Sequence, residues 1–125
     1  PDAIFVPFIN DKHQDHINTN IILSNALSKC LLNLKKIKIF SYEVWSFVPY
    51  NIYNTINDTM DIKNIELLKY KTGMKVVDYK RFCEQLSIYH SICIENKIGN
   101  KEVFYCCDGY RYIDLVKINS KLATP

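Results

Sequence analysis

No stretch of this sequence approaches the roughly twenty uninterrupted apolar residues that a membrane-spanning helix needs. The amino terminus also lacks a basic segment leading into an apolar one, the pattern that directs secretion. Together these absences set two expectations, a cytoplasmic location and no membrane span. Large clusters of one charge are missing as well. The formal net charge of +3 comes mostly from scattered lysines. The densest runs, Lys35-Lys36-Ile37-Lys38 and Lys69 to Lys75, are short enough to be solvated helix ends. Nucleic-acid binding calls for basic residues interleaved with exposed aromatics, or for a recognisable module. Neither is present, so no nucleic-acid partner is expected. The five cysteines are odd in number, and Cys30, Cys83 and Cys93 sit in apolar helical contexts where a reduced thiol acts as a small hydrophobe. That excludes a disulfide framework. The adjacent pair Cys106-Cys107 suits neither a zinc site on its own nor an ordinary disulfide, and reads as strand residues facing opposite ways. No internal repeat is present.

What is there describes a folded protein. The 125 residues, 48% hydrophobic and 23% charged, can bury one modest core and are too few to suggest two independent domains. Ala3-Ile4-Phe5-Val6-Pro7 is an almost continuous apolar run and predicts a buried strand of a parallel sheet. After a polar loop at Asn10 to His13, a helical pattern runs from Asp15 to about Leu34, with Leu23, Leu27, Cys30, Leu31 and Leu34 on one face. Extended backwards, that face reaches Asn20 and His16. Ile37 to Trp45 predicts a second strand, followed by a Pro49 loop, which completes a parallel crossover unit. Ile52 to Ile56 reads as extended, and Asn57 or Asp58 as the cap of a helix to about Tyr70, with Gly73 ending the segment. Asp78 caps a further amphipathic helix striped by Phe82, Leu86, Tyr89 and Cys93. Gly99-Asn100 turns into a strand at Glu102 to Cys107, and Tyr110 to Val116 reads as one more extended segment. A core strand stands at the very start, so a preceding segment is expected.

The chemistry concentrates in Asp11-Lys12-His13-Gln14-Asp15-His16, where two of the chain's three histidines fall within four positions. A strand end leading into a helix start is where α/β folds place their sites. His13 and His16, three apart, project from one side of a first helical turn. Imidazole suits zinc, and Asp11 or Asp15 can hold a ring nitrogen in the required tautomer. The residues alone leave two readings open: a metal or catalytic site, or a surface loop with capping aspartates and solvated histidines. His90 lies beside the apolar stripe of its helix and is a poor ligand candidate. Cys106-Cys107 as a redox pair finds no helix start or basic neighbour to lower a thiolate pKa.

The surroundings add a resemblance. Pro1 to Pro7, Asp11 and His13-Gln14-Asp15-His16 look like the second motif of the PIG-L/LmbE zinc-dependent N-acetylglucosaminyl deacetylases, where a strand precedes a D-x-H-x-D-H pattern. Collinear with it, Tyr42-Glu43-Val44-Trp45-Ser46 and Pro49 resemble the family's Y-E-x-W-S-x-x-P stretch, and Asn51 to Lys63 resembles its N-x-x-x-D-I-S-D-x-M-x-x-K segment. Leu67, Tyr70 and Lys71 fit the helix that follows. Departures are Thr55 where the family has aspartate, Thr72-Gly73 in place of serine-glutamine, and Cys107-Asp108 in place of alanine-glutamate.

The resemblance implies an α/β, Rossmann-like parallel-sheet three-layer fold, of which residues 1–125 are the carboxyl-terminal part of one domain. It implies that His16 binds zinc, that His13 faces the reacting amide and that Asp15 orients His13. The substrate would be an N-acetylated amino sugar or glycoconjugate. The remaining ligands and the general base would come from an amino-terminal P-H-P-D-D-E-like motif, absent from these residues and therefore expected on a missing amino-terminal segment of the same domain. Without it the chain is expected to be inert. From a different class, a noncatalytic glycan- or protein-binding module that retains the fold is the alternative.

Overall fold

The computed structural model describes residues 1–122. Among them the chain is α/β, with one four-stranded mixed sheet in the order β1-β2-β4-β3. In sequence, β1 (Ala3–Pro7), α1 (Gln14–Lys29), β2 (Lys38–Tyr42) and β3 (Ile52–Thr55) are followed by a 3₁₀ turn at Asn57–Thr59. Then come α2 (Met60–Lys69), α3 (Lys71–Met74), α4 (Tyr79–Glu95), β4 (Lys101–Asp108) and α5 (Gly109–Leu122). The residues group into two compact units, Pro1–Ile52 with the segment from Val103 onward, and Tyr53–Glu102. No helix among the described residues is long and apolar enough to cross a membrane.

In the first unit β1-α1-β2 is the expected crossover, with Ala3 opposite Lys38 and Pro7 opposite Tyr42 in parallel register. The sheet is nevertheless mixed, because β4 runs antiparallel to β2, pairing Lys38 with Asp108 and Tyr42 with Phe104. Side chains alternate across a strand, so this register sorts two faces. Val6, Ile39, Ser41 and Val103 are buried on one of them, where α1 packs on β1 and α5 on β2. The other carries Phe5, Phe40 and Phe104. The Phe5 and Phe40 rings stack at 4.9 Å, and Phe104 meets both edge-on, while Phe5 stays 60% exposed.

Two expected segments differ here. Helix α1 stops at Lys29 rather than near Leu34, as Cys30 turns extended and Leu31 and Leu32 are exposed. Leu34 is buried outside the helix, and its carbonyl accepts the Gly109 N–H at 3.0 Å. A Cβ on Gly109 would meet Leu34 Cβ and O at 3.1 Å, so a larger residue there would have to push Leu34 back by a few tenths of an ångström. Second, Tyr110 to Val116 is helical, not extended. Asp108 accepts the Arg111 N–H at 2.9 Å as a cap, and Tyr112, Ile113 and Val116 are buried at helical spacing.

In the second unit the helix expected after a cap at Asn57 or Asp58 opens with the 3₁₀ turn Asn57–Thr59 and continues as α2 from Met60. Asn57 is occupied elsewhere, its Oδ1 accepting the Asn100 N–H at 2.7 Å. Gly73 lies inside the one-turn α3, and the Tyr70 and Tyr79 rings fill the space where its side chain would be. Asp78 does cap α4, accepting the Arg81 N–H at 3.1 Å. Asp78→Ala should therefore cost about 1 kcal/mol, read as faster hydrogen exchange in the first turn of α4; unchanged protection there would contradict the cap.

The buried face of α4 is not the aromatic stripe. Ser87, His90 and Ser91 are buried, whereas Phe82, Tyr89 and Cys93 are exposed. Small hydroxyl residues let the turn before β4 come close. Ser91 donates to the Lys97 carbonyl at 3.0 Å and Ser87 to Asn100 Oδ1 at 2.8 Å. That turn leads to Lys101, which is 1% exposed. Its ammonium is held by Thr55 Oγ1 and Glu95 Oε1, each at 2.7 Å, and lies over the Tyr53 ring. A buried charge of this kind needs all of its partners. Cys30 and Cys93 are exposed rather than packed as core hydrophobes, and Cys106 and Cys107 are strand residues as expected.

Candidate functional site

The site is built at the carboxyl end of β1, entirely within the first unit. Pro7 is the last residue of β1, and its nitrogen faces away from β2, where no ladder bond is lost. Phe8 then donates to the Tyr42 carbonyl at 2.9 Å, and Asp11 donates back to the Phe8 carbonyl at 3.0 Å. This tight turn carries the Asp11 carboxylate inward, where the residue is 2% exposed.

Asp11 is bonded on both oxygens. Oδ1 accepts the His13 N–H and Oδ2 accepts the Trp45 N–H, each at 2.9 Å. The second bond ties the β1–α1 loop to the chain beyond β2. His16 Nδ1 lies 3.1 Å from Asp11 Oδ1, close but not placed as an aligned hydrogen bond. Burial alone would raise the Asp11 pKa. The backbone N–H groups of His13 and Trp45, and then His16, outweigh burial and hold the carboxyl below its ordinary 3.8.

His13 is the N-cap of α1. Its Nδ1 accepts the Asp15 N–H at 3.3 Å, which makes Nε2 the protonated nitrogen of the neutral ring. The His13 and His16 rings lie 5.0 Å apart between centroids. Asp15 is the outermost member, its side chain 84% exposed and its carboxylate 3.9 Å from His13 Nδ1. The backbone of Asp15, not its carboxylate, makes the hydrogen bond that orients His13.

Glu43 and Trp45 shape the neighbouring loop. Glu43 Oε1 accepts the Val48 N–H at 2.8 Å, and Trp45 contributes its backbone N–H to Asp11. His90 belongs to the second unit and is buried on α4.

Among the described residues no three His, Cys, Asp or Glu side chains are grouped as a metal cage. The donor set fits one corner of a zinc site. His16 has Nδ1 3.1 Å from the Asp11 carboxylate without an aligned hydrogen bond between them, which leaves Nε2 as the nitrogen that could face a metal.

Two residues behind the site carried little or no sequence signal as site residues. Asn20 is fully buried, and its amide bridges the Pro7 and His16 carbonyls. Tyr112 of α5 donates to Asn20 Oδ1 at 2.6 Å. Asn20 stood one turn after His16 on the predicted helical face, whereas Tyr112 fell in a segment read as extended. No family model, no curated protein and no solved structure matches this chain.

Proposed function

We propose that this chain is part of a zinc-dependent N-deacetylase of the PIG-L/LmbE kind, acting on an N-acetylated amino sugar or glycoconjugate. Its Rossmann-like domain would be completed by a segment that supplies the remaining metal ligands and the general base. The observation that carries the reading is the buried Asp11 set against His16 Nδ1 at the end of a parallel strand. In α/β sheets that end is where ligands bind. The makeup of β1 also supports it: the strand is apolar on both faces yet stands at the sheet edge, where natural sheets usually carry charge or other protection.

In this reading His16 would be a zinc ligand through Nε2. Zinc, when bound, lowers the pKa of a water and polarises the amide carbonyl. Asp11 keeps the His16 ring turned, and raises its basicity as a ligand. His13, whose Nε2 bears a proton, would donate toward the oxygen of the tetrahedral intermediate or to the leaving nitrogen. Asp15 positions that ring through the helix cap. Water adds to the amide carbon, the C–N bond breaks, and acetate and a free amine result. The assembled protein should bind about one zinc per site and release acetate from N-acetylglucosamine conjugates. Assembled protein that binds no zinc and releases no acetate would reject the reading.

A noncatalytic glycan- or protein-binding module is the second reading. It draws on the fact that Asp11 and His13 already have structural duties, as loop clasp and helix cap. It expects His13→Ala and His16→Ala to leave ligand binding unchanged.

A further inference from the structure

An asparagine in the middle of a helix is costly, because its amide competes with the backbone, and a buried amide must have every polar group bonded. Asn20 meets that demand with three groups from three different elements. Its Nδ2 donates to the Pro7 carbonyl at 2.9 Å, at the end of β1, and to the His16 carbonyl at 2.7 Å, in the first turn of α1. Its Oδ1 accepts from the Tyr112 hydroxyl at 2.6 Å. Asn20 is 0% exposed and Tyr112 2%. The two carbonyls can only accept, so they fix the NH2 end of the amide against them and leave Oδ1 to accept from the phenol.

These carbonyls flank the loop that carries Asp11. A core built only for packing would place an apolar side chain at position 20 and leave the strand end and the helix start joined by the loop and by packing of α1 on β1, without these two directional bonds. We propose that Asn20 and Tyr112 form a positioning clamp that fixes the His16 backbone against the end of β1, and so sets the ring against Asp11. The proposal rests on the deacetylase reading for its purpose, though not for its geometry. It makes α5 a working part of the site, with Tyr112 acting on His16 through Asn20. Asn20→Leu fills the space but severs both bridges. Tyr112→Phe keeps both bridges but leaves the buried Oδ1 without its donor, which loosens the amide's hold on the two carbonyls. Ile113→Ala, on the same helix and also buried, loosens α5 without touching the clamp.

The test has two arms. In this chain, ¹⁵N spectra of the imidazoles at fixed alkaline pH report the His16 tautomer, and ring-to-ring proton contacts report its distance from His13. The Nδ1-protonated form should dominate in the parent and in Ile113→Ala. Asn20→Leu and Tyr112→Phe should mix the tautomers and weaken the His13–His16 contact. In the assembled protein, Asn20→Leu should weaken zinc about tenfold or more, the scale seen when a residue supporting a ligand is removed. Ile113→Ala should stay within about twofold of the parent. Should Asn20→Leu fail to fold, Tyr112→Phe carries both arms.

An unchanged tautomer and ring contact in the clamp variants, or an equal disturbance in Ile113→Ala, would overturn the clamp. If instead His16→Ala retains full zinc affinity, the deacetylase reading fails, and the tautomer arm still decides the clamp.

Discussion

His16→Ala in the assembled protein is expected to lose bound zinc and to slow acetate release by at least about a thousandfold, equivalent to about 4 kcal/mol of transition-state stabilisation. The loss is that large because a catalytic zinc rests on three protein ligands and an open position. Removing one opens a second position and weakens the hold on the ion. His13→Ala separates the two histidines. It should keep the metal and lose about 10²–10⁴-fold in rate, the usual contribution of a positioned proton donor.

His13→Ala should also cost about 1 kcal/mol of stability, because the ring caps α1 through the Asp15 N–H. Metal content per protomer, acetate release and the urea midpoint together resolve the three effects. If both variants keep their zinc and their rate, neither imidazole is part of the reaction centre and the site assignment falls; the noncatalytic module becomes the better reading if the parent itself binds no zinc and releases no acetate.

How much of this was legible in the sequence depended on which force decided each element. β1 as a strand and the start of α1 could be read, because an unbroken apolar run and a cluster of capping side chains act locally, but β1 is an edge strand with Ala3 and Phe5 exposed rather than the buried strand its composition predicts. So could the Asp78 cap, which needs only its own next three residues. The end of α1 could not. Leu31 and Leu34 fit the helical spacing, but Leu31 is exposed and Leu34 is buried outside the helix, where its carbonyl accepts from Gly109, a partner 75 positions away in the chain. The buried face of α4 misled for a related reason. Its aromatics have the larger hydropathy, yet small Ser87 and Ser91 admit the turn that delivers Lys101, and close approach decided the facing.

α5 was misread as extended. Its branched and aromatic residues favour strands when taken singly, whereas the Asp108 cap and the spacing of Tyr112, Ile113 and Val116 favour a helix. At the site, the sequence offered Asp11 and Asp15 as equal candidates for holding an imidazole. Burial separates them. Asp11 is enclosed by bonds from His13 and from Trp45, 34 residues on, while the Asp15 side chain stands in solvent.

That enclosure makes Asp11 the residue whose loss should be felt in both folding and metal binding. Asp11→Ala deprives two N–H groups of a charged acceptor, and hydrogen bonds to charged groups are worth about 1.5–3 kcal/mol each. Water entering the emptied turn recovers part, so a net loss of about 2–4 kcal/mol is expected. Asp11→Asn is the finer probe. Its oxygen can still accept one N–H, while its amine faces the other as donor against donor, and it cannot titrate.

The sign of the pH effect follows from the lowered carboxyl. An aspartate whose folded pKa lies below its unfolded one adds stability that is fully present above the unfolded value. That stability is lost as pH falls from the ordinary 3.8 through the folded value. Urea midpoints taken between about pH 6 and pH 2 should therefore fall more steeply below the ordinary aspartate range in the parent than in Asp11→Asn. In the assembled protein the same variant should weaken zinc about 10–100-fold, since His16 loses the charge that turns its ring and raises its basicity. Parallel pH profiles would mean the carboxylate is not held as the bonds to His13 and Trp45 require. A flattened profile with zinc affinity intact would mean that Asp11 clasps the loop and does nothing for His16, and the case for a metal at position 16 would then have lost its main support.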